Sequence, residues 1–258
     1  MKTKYQNIAQ NSSSIILLFF LIAIWEGAYH FNLLPPFIIP APSQIIHALW
    51  DNYSIILHHS RITIIQSLSG LLLGVVFSVI FSVWMDSTNW VYHALYPYLI
   101  VSQTIPTIAI APILVLWLGY GMAPKIVLVT MTTLFPLIIN ILQGFSQSYY
   151  DAIRLLELMG ANRKQVLYHV KLPQALPYFF SGLRMSVSYA FVSTVAAEWL
   201  GGFDGLGAYL IQTRKSFNYD QMFGVILIIS LLSLIAIACV KVIEYIFVPW
   251  THKDKKRG

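Results

Sequence analysis

Residues 146–176 read SQSYYDAIRLLELMGANRKQVLYHVKLPQAL, and the reading of this stretch decides the fold. It is a polar, patterned segment of about thirty residues between two long apolar runs, and loops of that length are uncommon unless they carry function. Ser148-Tyr149-Tyr150-Asp151 matches a capping box and predicts a helix starting near Tyr149. Asp151, Arg154 and Glu157 then share a polar stripe, while Ile153, Leu155, Leu156, Leu158 and Met159 fall on the other faces. Gly160 suits a left-handed stop, Asn162 can cap a second helix over Arg163 to Val170, and Leu172-Pro173 ends it. The product is a helix, a bend and a second helix. An apolar face is costly in water, so the first helix packs on neighbouring spans or on a partner protein, or lies among headgroups held by Arg163, Lys164 and Lys171.

Outward from this segment the chain is apolar. Apolar runs with few charges cover Ser14 to Phe31, Ile62 to Met85, Tyr92 to Leu118, Ala123 to Phe145, Pro177 to Leu200 and Met222 to Val248. A bilayer core needs about 20 apolar residues per helix, so each run is a candidate span. With only 10% charged residues in 258, against roughly a quarter in soluble domains, a water-soluble globule is excluded. Runs such as Ile15-Ile16-Leu17-Leu18-Phe19-Phe20 lack the alternation of barrel strands, and backbone in lipid must bond to itself, so the spans are helical. The expectation is an all-α membrane protein with six transmembrane helices. The lone Cys239 stands inside an apolar run and gives no sign of a disulfide framework.

Lys and Arg set the orientation. With a cytoplasmic N-terminus, Lys2, Lys4, Arg154, Arg163, Lys164, Lys171, Lys253, Lys255, Lys256 and Arg257 lie inside, and Arg61, Lys125, Arg214 and Lys215 outside. Arg184 and Lys241 sit within spans near their inner ends. Both termini are then cytoplasmic, in a multi-pass protein of the plasma (inner) membrane. The positive-inside bias accounts for the net charge of +6 without a nucleic-acid partner. Lys2 and Lys4 ahead of an apolar run resemble a signal peptide, but bulky Trp25-Glu26-Gly27-Ala28-Tyr29 offers no cleavage site. The organisation expected is a cytoplasmic N-terminus over 1–13, a first span and outer interfacial segment over 14–61, a transmembrane core over 62–248 and a basic tail over 249–258. In the interfacial segment Ser43 is expected to cap an amphipathic helix containing Ile45, Ile46, Leu49, Ile55 and Ile56. His58-His59 points in two directions on a helix with no further ligand in view, so no metal is expected.

Gly160, then nine residues, then Val170-x-Leu172-Pro173 resembles the cytoplasmic signature E-A-A-x-x-x-G-x9-I-x-L-P of permease subunits of bacterial ABC importers. Gly160-Ala161, Leu172-Pro173-Gln174-Ala175-Leu176-Pro177 and Gly182-Leu183-Arg184 resemble the nitrate, sulfonate and taurine branch. So do Ile105-Pro106, Ala111-Pro112, Trp117-Leu118-Gly119-Tyr120-Gly121, Ala197-Glu198-Trp199-Leu200-Gly201-Gly202 and Gly205-Leu206-Gly207. Within that branch the runs Gln103 to Pro112 and Ala197 to Gly202 look most similar to permeases for pyrimidine precursors of thiamine. One departure stands out. Where the signature has Glu-Ala-Ala this chain has Arg154-Leu155-Leu156, with Glu157 one turn away as a substitute.

The resemblance implies the type I ABC importer permease fold, working as a pair of identical copies beside an ATPase and an extracellular or periplasmic substrate-binding protein. The stretch 146–176 becomes a coupling helix, with Asp151, Arg154, Leu155, Leu156, Glu157, Met159, Gly160 and Ala161 facing the ATPase. No G-x-x-x-x-G-K-[ST] phosphate loop occurs, so the chain is read as a translocation subunit, not an enzyme, without cofactor or metal. Polar atoms in apolar helices mark the pathway, because they are costly facing lipid. Gln103, Pro106, Asn140, Ser186, Tyr189 and Glu198 are the candidates, and for the hydroxyls interhelical hydrogen bonding competes with pathway lining. For Glu198 a gate or docking contact competes with a place at the interface in water. Sulfonate, taurine or nitrate is the alternative cargo. A secondary transporter is the rival class; it needs ionisable residues at mid-membrane, whereas Glu26, Arg184, Glu198, Lys241 and Glu244 fall toward span ends, with Lys241 able to pair with Glu244.

Overall fold

Long apolar runs satisfy every backbone donor internally only as helices, and the computed structural model is built of helices over its described residues, 2–33, 35, 38–148 and 150–250, with side chains described except at 2–15, 107 and 201. The order is α1 (Lys2–His30), α2 (Pro42–Asp51), α3 (Tyr53–Ser87), α4 (Asn89–Ser102), α5 (Thr107–Leu118), α6 (Ala123–Ser146), α7 (Tyr150–Leu158), α8 (Arg163–Val166), a π turn (Leu167–Lys171), α9 (Leu172–Gly201), α10 (Leu206–Lys215) and α11 (Tyr219–Phe247).

Helices α3, α6 and α11 are long and apolar enough to cross a membrane on length and composition alone. Helix α9 has 30 residues, but its buried Ser186, Ser193, Thr194 and Glu198 hide polar groups inside the protein, which lowers its hydropathy without exposing them to lipid. The third expected span is not one helix. It divides into α4 and α5 at Gln103–Pro106, where turn bonds from Gln103 N–H to Ile100 O and Thr104 N–H to Val101 O close α4. Pro106 has no N–H to continue the ladder and disfavours helical geometry at Ile105, and it caps α5 in extended backbone.

The chain forms two units. Met1–His58 with Tyr209–Ile228 make the first. There Trp25 meets Phe223 with ring centroids 6.2 Å apart, and α2 buries Ile45 and Ala48 while exposing Ile46 and Trp50. The expected Ser43 cap is not formed. Ala41 is the N-cap residue, its N–H bonded to Gln44 Oε1 at 3.0 Å, and Ser43 lies inside the first turn, where its N–H and hydroxyl donate to Glu26 at 3.0 and 2.7 Å. The carboxylate of α1 is the stronger acceptor and takes the serine from its local role.

His59–Ala208 with Ile229–Gly258 make the second unit. Helices α6 and α9 pack along most of their length, with α5 against both. Met85, Val91, Leu99, Ile138, Ile141, Leu142, Phe145 and Ala175 form a core at the hairpin end of the helices. Phe180, Val187, Phe191, Val240 and Val248 form another.

Candidate functional site

The hairpin arises from local chemistry. Helix α7 ends before Gly160, whose φ of +85° is the left-handed geometry that only glycine adopts freely. Its N–H and that of Ala161 close the helix on Glu157 O and Leu156 O. Asn162 Oδ1 then accepts from Gln165 N–H at 2.9 Å while Gln165 Oε1 accepts from Asn162 N–H at 2.8 Å, a reciprocal cap. At the start of α7 the expected Ser148 cap is replaced by a bond from its hydroxyl back to Gly144 O, and Tyr149 lies outside the described residues. The second helix does not stop at Leu172-Pro173 but runs on into α9. In the widened π turn Leu172 N–H reaches Leu167 O, and Pro173 sits in the first turn of α9, where its missing donor breaks no bond.

No described residue of α7 is buried. Leu155 is 60% exposed, Leu158 80% and Met159 75%, so these apolar side chains do not pack on the spans. Asp151, Arg154 and Glu157 are exposed as well, with Leu156 and Ala161 partly covered. Behind the hairpin lies a groove of about 650 Å³ whose charged lining is Asp86, Glu157, Arg163, Lys164 and Lys171. One ion pair crosses it, from Lys171 Nζ to Asp86 Oδ1 at 2.8 Å and Oδ2 at 2.9 Å. Separated by 85 residues, this pair gave no sign in the sequence.

The residues expected on a pathway divide. Gln103 and Pro106 are exposed at the break between α4 and α5, and Tyr189 is 45% exposed. Asn140 is partly buried, its amide donating to Pro136 O of its own helix at 2.8 Å. Ser186 is fully buried and donates to Thr133 O at 3.0 Å, so its hydroxyl joins α9 to α6. Glu198 is fully buried too, which removes its water-exposed alternative. Thr63 Oγ1 donates to Glu198 Oε1 at 2.8 Å, Gly207 N–H donates to Oε2 at 2.7 Å, and Leu206 N–H donates to Thr63 Oγ1 at 2.8 Å. Lys125 lies within electrostatic reach and donates to Asp204 O at 3.4 Å. His59 Nδ1 accepts from Gly205 N–H at 3.1 Å. Any Cβ on Gly205 would overlap the Glu198 carboxylate, so the glycine is what lets the loop close over the acid.

A second feature escaped the sequence reading. Along α3 the buried positions His59, Thr63, Gln66, Ser67, Ser78 and Ser82 recur at helical spacing through an apolar run, with Gly70 and Gly74 among them. Ser67 Oγ donates to Thr194 Oγ1 at 2.8 Å, and Thr130 Oγ1 to Gly70 O at 3.2 Å. The spacing was readable, but small hydroxyls in a span look like lipid-tolerant filler until a partner helix is known. The expected pairing of Lys241 with Glu244 is superseded, because Glu244 pairs with the Arg184 guanidinium brought in by α9.

The model of the family described as binding-protein-dependent transport system inner membrane component matches residues 70–253. The formylaminopyrimidine transport permease protein ThiX of Halalkalibacterium halodurans is 34% identical, with 98% of this chain and 100% of that protein covered. The riboflavin transport system permease protein RibX of Chloroflexus aurantiacus is 29% identical over 91% and 88% of the two chains. The taurine transport system permease protein TauC of Escherichia coli is 25% identical over 97% and 94%. An inward-facing structure of the MetNI methionine ABC transporter shares the fold at a TM-score of 0.67 and 17% identity, covering 76% of this chain and 97% of that one.

Proposed function

The chain belongs to the family of binding-protein-dependent transport system inner membrane components, the permeases of ABC importers, and on that premise we propose that its cargo is a pyrimidine precursor of thiamine. It is a transport component, not an enzyme. Permeases of this family work with an ATPase and a substrate-binding protein. The observation that carries the cargo reading is the similarity to the formylaminopyrimidine permease along the whole of both chains. Lower identity to riboflavin and taurine permeases supports a flat heterocycle first and a sulfonate second.

The coupling surface in this reading is α7 with its stop, through Asp151, Arg154, Leu155, Leu156, Glu157, Met159, Gly160 and Ala161. What supports it is the exposed apolar face, which needs a cover. Glu157 takes the place of the acidic residue missing at Arg154. The pathway is faced by Gln103, Pro106, Asn140 and Tyr189, with Ser186 and Glu198 holding the helices together. Irregular backbone within a membrane is tolerated only in protein or beside water, and this favours a pathway or pair-interface position for the exposed break at Gln103–Pro106. Two copies form the pore, since one chain supplies half of a paired pathway. Both termini are cytoplasmic, supported by the Lys and Arg bias. The core spans 62–248, between an N-terminal segment over 1–61 and the tail over 249–258.

The test is uptake by vesicles holding the chain with its ATPase and binding protein. ATP-dependent accumulation of formylaminopyrimidine, uncompeted by excess taurine, is the expected result. Taurine uptake without pyrimidine uptake overturns the cargo, and uptake driven by a proton gradient alone overturns the importer.

A further inference from the structure

With no residue of α7 buried, a push on that helix reaches the spans through the chain at its two ends, into α6 on the N-terminal side and toward α9 on the C-terminal side. One route is the chain itself, through Gly160, the reciprocal Asn162 and Gln165 cap and the π turn into α9. A second leaves the chain at Lys171, the last residue of the π turn, whose ammonium is held by both oxygens of Asp86 at 2.8 and 2.9 Å. Asp86 is the penultimate residue of α3. The two side chains, Lys171 and Asp86, are 24% and 18% exposed, so the pair is shielded more than a surface ion pair and held in one geometry.

The same two helices are tied at their other ends. Thr63 and Ser67 of α3 bond Glu198 and Thr194 of α9, both at 2.8 Å. At 1.5 Å per residue these ties stand roughly 30 to 40 Å from the ion pair. Helices fastened at both ends move as one body, whereas helices fastened at one end can shear past each other.

We infer that Asp86 and Lys171 are positioning residues, whose ion pair carries the hairpin's displacement into α3 as well as α9 and so delivers it to the Glu198 cluster at the far end. Neither side chain touches nucleotide or cargo. The other charges of the groove, Glu157, Arg163 and Lys164, lie on the hairpin and move with it. This inference rests on the permease reading, and its test separates the two.

The experiment uses the full importer in vesicles, with Lys171→Met, Asp86→Asn, Lys171→Arg and the exchange Asp86→Lys with Lys171→Asp. Bound ATPase, ATP hydrolysis and cargo uptake are read together. The single neutral variants are expected to keep wild-type ATPase binding and continued hydrolysis while uptake per ATP falls about tenfold, the scale of a typical coupling energy. Lys171→Arg and the exchange recover most of it. Wild-type uptake per ATP in the neutral variants overturns the inference. So does an exchange variant that folds but stays uncoupled, or a loss of hydrolysis and uptake in equal measure with lowered thermal stability, which marks a merely structural pair. Absence of ATPase from the wild-type protein defeats the permease reading itself, and the inference with it.

Discussion

Thr63 Oγ1 donates to Glu198 Oε1 and accepts from Leu206 N–H, each at 2.8 Å, so one hydroxyl joins α3, α9 and the first residue of α10. Thr63→Val leaves a buried N–H and a buried carboxylate oxygen short of a partner and is expected to cost about 1–3 kcal/mol. Glu198→Ala leaves the buried Thr63 hydroxyl and the Gly207 N–H without their acceptor and is expected to cost about 1–3 kcal/mol for each. Thermal unfolding in detergent measures both, with Thr63→Ser close to wild type.

The exposed apolar face of α7 gives the opposite pattern. Leu158→Ser and Met159→Ser remove side chains that are 80% and 75% exposed, so melting is expected to stay within about 0.5 kcal/mol of wild type. Co-purification of the ATPase in detergent is expected to be lost. Retained ATPase would mean that the face lies in the headgroup layer.

Close approach of α3 and α6 depends on glycine. A Cβ at Gly70 would lie 2.5 Å from Val129 Cβ and 2.9 Å from the Ile126 carbonyl oxygen. Gly70→Ala is expected to lower stability by about 1–3 kcal/mol through overpacking. At Gly27 nothing lies within 4 Å of the added carbon, and Gly27→Ala is the control that should melt like wild type.

The break between α4 and α5 is testable by solvent access. With Cys239 replaced by Ser, Gln103→Cys is expected to react with a membrane-impermeant thiol reagent in assembled vesicles, and cargo with binding protein to slow the reaction. Leu137→Cys, on a fully buried position, is the unreactive reference. An inert Gln103→Cys removes this residue from the pathway.

Loss of the reciprocal cap is a local event. Asn162→Ala is expected to weaken the start of α8 by about 0.5–2 kcal/mol. Amide exchange should rise at Arg163 to Val166 while α6 and α9 keep their protection.

Local signals survived translation into structure where the partners are neighbours in the chain. Gly160 and Asn162 specify a stop and a cap within a few residues, and both stand where the spacing puts them. Ser43 shows the limit. Its side chain is a good cap by type, but Glu26, 17 residues earlier, is a stronger acceptor. Glu244 likewise has Lys241 one turn away yet binds Arg184, 60 residues distant. Pro106 marks the break at Gln103–Pro106 by residue type, but whether a proline bends a helix or divides it depends on neighbours that supply or withhold bonds. Ser186 and Glu198 join helices within the chain, because burial, and not residue type, decides which groups need internal partners.

The turn over Leu167–Lys171 bonds residues five apart, one more than a regular helix uses. Deleting a single residue there would restore regular winding and swivel α8 and the hairpin end ahead of it by about 100° relative to α9. The heading of α7 is therefore adjustable by the length of one turn, with no span altered. Compatibility between such a permease and a foreign motor is then a matter of register in this turn as well as of side chains on the contact face, and a one-codon deletion is a rotary adjustment of the whole hairpin.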